Sequence, residues 1–88
     1  MYEMIIKNYI NNLTKNDITY FALKNDISLT DQELDFVYKT IKKNYKVLLS
    51  PDYESIFNEA KNYLSHDSYI KIYNLFLEYK AKYNNFLI

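Results

Sequence analysis

The chain contains no glycine, no cysteine and no tryptophan, and it has a single proline, Pro51. Tight hairpins that require positive φ therefore have no natural occupant, which argues against an all-β fold, and no glycine-rich loop exists to cradle a phosphate. Without cysteine there are no disulfides, no thiolate nucleophile and no thiolate zinc site. Arginine is missing too, so all eleven basic residues are lysines, and bidentate contacts to guanine or phosphate have no donor. Eleven acidic residues balance them to a formal charge of zero, leaving no overall field to gather a polyanion or an anionic lipid surface. The opening stretch Met1 to Asn8 lacks both the basic start and the apolar stretch of a secretion signal, and no apolar run approaches the roughly 20 residues of a membrane span. The expectation is a cytoplasmic protein with no membrane segment, no cofactor and no metal.

What the chain does have is a repeated instruction for starting helices. Leu13-Thr14-Lys15-Asn16-Asp17-Ile18 returns sixteen residues later as Leu29-Thr30-Asp31-Gln32-Glu33-Leu34. In each, a threonine hydroxyl can accept from the backbone N–H three residues on, the acid can reach back, and the flanking aliphatics can clamp the start. Leu64-Ser65-His66-Asp67-Ser68-Tyr69 keeps the hydroxyl and the apolar pair but has serine where the acid belongs. Ser50-Pro51 places proline where a first helical turn tolerates it.

Apolar spacing fills in the rest. Ile5, Ile6, Tyr9, Ile10 and Leu13 mark one face of a first helix that ends at Asn11-Asn12. A short second helix, 15–24, is expected to bury Ile18, Phe21 and Ala22, and Ile27 and Leu29 alternate as in an extended connector. The third, 31–45, turns Leu34, Val37, Tyr38, Ile41 and Tyr45 inward. It carries Asp31, Glu33 and Asp35 at its start and Lys39, Lys42, Lys43 and Lys46 at its end, in the order the helix dipole favours. A fourth, 51–63, offers Tyr53, Ile56, Phe57 and Ala60. The last, 66–86, is long and broadly apolar: Tyr69, Ile72, Phe76, Tyr79, Tyr83 and Phe86 recur at three- and four-residue steps, widened by Ile70, Tyr73 and Leu77. The expected fold class is all-α. One domain, residues 1–88, forms a compact bundle of about five helices, the second one short, with the C-terminal helix packed centrally; at this length about 60–65% of the unfolded surface can be buried.

The paired Leu-Thr-x-x-acid-aliphatic starts, Phe21-Ala22 and the Ile27-Ser28-Leu29-Thr30 connector make the stretch from Leu13 to Tyr45 similar to a family of short bacterial helical proteins known only as a domain of unknown function. The resemblance implies a helical fold and carries over no functional residue. The same two-helix pattern is similar to SAP-type and helix-turn-helix nucleic-acid modules, from which it departs in a connector without glycine and an acidic start to the helix that would meet the bases.

Three constellations could carry function. Lys39, Lys42, Lys43 and Lys46, with Tyr45 among them, could bind a polyanion, or could simply complete a helix dipole. His66 beside Asp67 and Ser68 suggests proton transfer, but adjacent helical side chains diverge, and helix-start geometry already accounts for polar residues there. The carboxylate pairs Asp31 with Asp35 and Asp52 with Glu59 belong by pattern to exposed faces or helix starts. No catalytic residue is assigned, and an enzyme is not expected. Eleven tyrosines and five phenylalanines leave the aromatic stripe, above all Tyr79, Tyr83 and Phe86, as the candidate partner-binding surface. The expectation is a non-enzymatic protein–protein interaction module, its partner another protein or a second copy. A nucleic-acid accessory protein using the lysine group is the alternative.

Overall fold

Both full helix-start signals form as closed capping boxes. Thr14 Oγ1 accepts from the Asp17 N–H at 3.1 Å while the Asp17 carboxylate accepts from the Thr14 N–H at 3.0 Å. Thr30 and Glu33 repeat the exchange at 3.1 and 3.0 Å. In the first box the clamp residues Leu13 and Ile18 are both buried. Such a cap stabilises a helix by about 1 kcal/mol. Five helices follow in this computed structural model: α1 (Tyr2–Asn12), α2 (Lys15–Lys24), α3 (Asp31–Leu48), α4 (Tyr53–Ala60) and α5 (His66–Leu87), with no strand among the described residues. The structure describes residues 2–87, and of their side chains those of residues 4–82. The radius of gyration, 12.8 Å, matches the roughly 12–13 Å of a compact domain this long.

The third start signal is completed from elsewhere in the chain. Ser65 Oγ accepts from the Ser68 N–H at 3.2 Å, as a cap should, and the acid missing from this segment is supplied by Glu33. Glu33 Oε1 serves its own box, and its Oε2 accepts from the Ser65 N–H at 2.8 Å. One carboxylate, only 6% exposed, thus closes the starts of α3 and α5 together. Burial pushes the Glu33 pKa up, and the N–H groups of Thr30 and Ser65 outweigh it, so the net shift is downward.

Helix ends show how a chain without glycine finishes its helices. At the end of α2, Asp26 takes the left-handed conformation, φ 62°, that glycine usually occupies. The Ile27 N–H then reaches Ala22 O at 2.8 Å and the Asp26 N–H reaches Leu23 O at 3.2 Å, with Ile27 and Ala22 both buried. Side chains satisfy other terminal carbonyls: Asn12 donates to Asn8 O, Asn25 to Phe21 O and Ser50 Oγ to Val47 O. Lysines from other helices reach several more. Lys42 of α3 donates to Asn11 O at the end of α1, Lys71 of α5 to Asp26 O after α2, and Lys80 of α5 to Leu48 O and Ser50 O after α3. Each puts a cation at the negative end of a helix dipole.

Glu33 with Ser65 at one end, and Lys80 with Leu48 at the other, make α3 and α5 run side by side in the same direction. The closest backbone approaches, however, are those of α1, α2 and α4 to α3. The central element is therefore α3, which corrects the expectation that the C-terminal helix would be; α5 joins through long aromatic and lysine side chains that hold its backbone further away. Other boundaries shift as well. Helix α4 begins at Tyr53 instead of Pro51 and, at 8 residues, is shorter than α2. Its N-cap Asp52 makes no side-chain bond, because Ser50 Oγ and the Asp52 carbonyl organise that turn instead. Helix α3 continues to Leu48 past Asn44, whose φ of −118° and ψ of 19° break the helical path. An asparagine side chain competes for backbone hydrogen bonds, which suits it to such a break.

Among the described side chains, Ile10, Leu13, Ile18, Ala22, Ile27, Phe57, Ala60 and Leu64 are the buried apolar members of the core. Ile27 is buried and Leu29 half-buried, as an alternating connector requires. Ile5, Tyr9 and Phe21, expected to face inward, are exposed.

Candidate functional site

The aromatic stripe of α5 divides into two parts. Its first half is used inside the chain, around Phe57 of α4. The Phe57 ring lies 6.2 Å from Tyr69, 4.8 Å from Tyr73 and 5.0 Å from Phe76, in edge-on or tilted geometry, and Tyr53 meets Phe76 at 5.2 Å. Such pairs contribute about 0.5–1.5 kcal/mol each beyond the area they bury. The Tyr73 hydroxyl donates to Glu54, and this bond to a carboxylate, together with desolvation, holds the phenol pKa up at about 12. Lys80 lies 4.3 Å above the Tyr53 ring, so its bonds to the end of α3 also pin α4 against α5.

Beyond Phe76 the stripe emerges. Tyr79 is 41% exposed and meets Phe21 of α2, itself 42% exposed, at 5.6 Å, and Lys82 lies 5.3 Å over the Tyr79 ring. Leu77 on α5 and Tyr20 and Leu23 on α2 are exposed as well. The side chains of Tyr83 and Phe86 lie outside the described residues. The sequence spacing of Phe21 resembles that of any buried aromatic, so nothing local marked it as the neighbour of Tyr79.

The four lysines of α3 are not equivalent. Lys39 pairs with Asp35 at 2.9 Å, and Asp35 also binds Lys15 at 2.9 Å. Hydrogen bonds from Lys39 and then Lys15 hold the Asp35 pKa below its ordinary value. Lys42 is engaged with Asn11 O and lies 5.5 Å over the Tyr38 ring. Lys43 and Lys46 remain exposed, on either side of the break at Asn44, while Tyr45 is half-buried. His66 is exposed in the first turn of α5; its neighbour Asp67 pairs with Lys71, and Ser68 is buried with its N–H on Ser65. No hydrogen bond or ion pair joins these three side chains to one another among the described residues. Among the described residues no three acidic or histidine side chains gather in a way that could hold a metal ion, and no helix is long and apolar enough to cross a membrane.

Compared with family models, curated proteins and solved structures, the chain matches none.

Proposed function

We propose that this chain is a small cytoplasmic, non-enzymatic interaction module that binds another protein, or a second copy of itself, through the distal part of its last helix. The supporting observation is the Phe21–Tyr79 pair: two large rings from different helices lie against each other and still keep about two-fifths of their surfaces open. Aromatic residues fixed by a neighbour lose little entropy when a partner covers them, which is why tyrosine anchors recur at interfaces. In this reading α5 is a broadly apolar helix whose proximal rings secure the fold, while Tyr79, Tyr83 and Phe86 face the partner. Lys82, over Tyr79, would sit at the polar rim.

The measurement is the molar mass by light scattering, coupled to capture from the native cell, for the parent chain and for Tyr79→Ser, Tyr83→Ala and Phe86→Ala. Self-association or a captured protein, weakened in each variant at unchanged helix content, supports the module. A strict monomer that captures nothing, and whose stability collapses on any of these changes, places the rings in the core and ends the proposal.

A further inference from the structure

Two depressions meet between α3 and α4. One is an open cleft of about 390 Å3, walled by the α3 stripe Phe36, Thr40 and Lys43 and by Glu59 and Tyr63 from α4 and the turn after it. The Tyr63 ring is stacked flat on Phe36, at 4.6 Å and 11°, yet is 56% exposed, so one face of a rigid aromatic pair looks into solvent. The other is a pocket of about 120 Å3 that presents no polar surface, lined from α3, α4 and α5 by residues including Ile41, Ala60, Leu64, Ile72 and Phe76. Phe36 and Thr40 line both. A cleft of mixed polar and apolar lining therefore adjoins an apolar recess along that edge of α3.

Charge narrows the choice of occupant. Of the charged groups in the cleft, Asp35 is engaged by both Lys39 and Lys15, whereas Lys43 and Glu59 form no ion pair among the described residues. The cleft thus offers one unengaged cation and one unengaged anion beside an apolar recess. A polyanion would be repelled by Glu59, and a simple hydrocarbon would leave both charges unused. An apolar recess of this size suits a branched aliphatic group or a single ring, since a dry cavity of roughly 150 Å3 accommodates benzene.

We infer that this double depression is a binding site for a free α-amino acid with a large apolar side chain, its carboxylate on Lys43, its ammonium on Glu59 and its side chain in the recess past Phe36 and Thr40. Small-ligand sites combine an apolar body with a few convergent polar groups in this manner. The recess takes in Ile72 and Phe76 of α5 but neither depression includes Tyr79, so the site stands or falls separately from the interaction surface on the distal part of α5.

The test is an NMR titration of the full chain with L-leucine, L-alanine, 4-methylpentanoate (leucine without its amine) and isoamylamine (leucine without its carboxylate). Leucine is expected to give saturating shifts centred on Phe36, Thr40 and Tyr63, with a Kd in the millimolar range or tighter and about tenfold below that of each singly charged analogue. Lys43→Gln should weaken leucine about tenfold without affecting isoamylamine, and Glu59→Gln should do so without affecting 4-methylpentanoate. Both side chains are exposed, so unchanged circular dichroism is expected of each variant. Absence of saturation with leucine, alanine binding as tightly as leucine, or 4-methylpentanoate binding as tightly as leucine overturns the assignment.

Discussion

Replacing Glu33 should damage two helix starts with one substitution. Its carboxylate accepts from Thr30 N–H at 3.0 Å and from Ser65 N–H at 2.8 Å, while the side chain is 6% exposed. Hydrogen bonds to a charged group contribute roughly 1.5–3 kcal/mol each. Water can reach part of what Glu33→Ala uncovers, so a loss of about 2–4 kcal/mol is expected. That is a large share of the about 5–13 kcal/mol available to a domain this size. At about 4–8 °C per kcal/mol, the midpoint of thermal unfolding should fall on the order of 10–30 °C. Asp17→Ala is the internal control. Asp17 occupies the same place in the other capping box but bonds only within it, so its loss should cost about 0.5–1.5 kcal/mol. Urea unfolding followed by circular dichroism measures both. The folded-state pKa of Glu33 lies below its ordinary 4.5, so its contribution is fully present above that value and is lost as pH falls through the folded pKa. Parent and Glu33→Gln should therefore differ at neutral pH and converge in acid. Equal costs for Glu33→Ala and Asp17→Ala, or a Gln variant as stable as the parent at pH 7, would falsify the shared cap.

Lys80→Met should cost about 1–2 kcal/mol, since it removes both the carbonyl contacts after α3 and the cation over Tyr53. Lys82→Met, whose partner Glu78 is exposed, should change urea stability by less than about 0.5 kcal/mol. Asp26→Gly should raise stability by roughly 0.5–1 kcal/mol, because glycine adopts the φ of 62° without strain and removes a negative charge from a helix end. Asp26→Asn should fall between the two in the same urea titration, and a destabilised glycine variant would contradict the strain. The Tyr73 phenol, pushed up to about 12 by Glu54, should ionise nearer 10 in Glu54→Gln, read from tyrosine ring carbons by NMR. Its raised pKa favours the protonated phenol in the fold, so this contribution is present below 10 and disappears as pH rises through about 12.

The helix starts at Thr14, Thr30 and Ser65 were legible in the sequence because a cap and its target N–H lie three residues apart, within reach of any local pattern. The same holds for the end of α1 at Asn12, for the buried connector residue Ile27, and for the ordered charges of α3, two of which close ion pairs in the fold. The candidate aromatic surface was only half legible. Periodicity identified the stripe from Tyr69 to Tyr79, but not that Phe57 takes up its first half, nor that Phe21 stays exposed beside Tyr79. A helical repeat states which residues share a face and is silent about how far a neighbour extends over it.

The chain's own order of residues determined that it is helical, where α2, α3 and α5 begin, and that glycine would not end its helices. Tertiary structure alone decided that Glu33 completes the cap at Ser65, 32 residues away, and that Lys42, Lys71 and Lys80 close the ends of three other segments. The reason is geometric. Capping within a turn depends on bonds the backbone itself fixes, whereas a carboxylate or an ammonium group can serve a distant helix only once packing around α3 has brought that helix within about 3 Å of it.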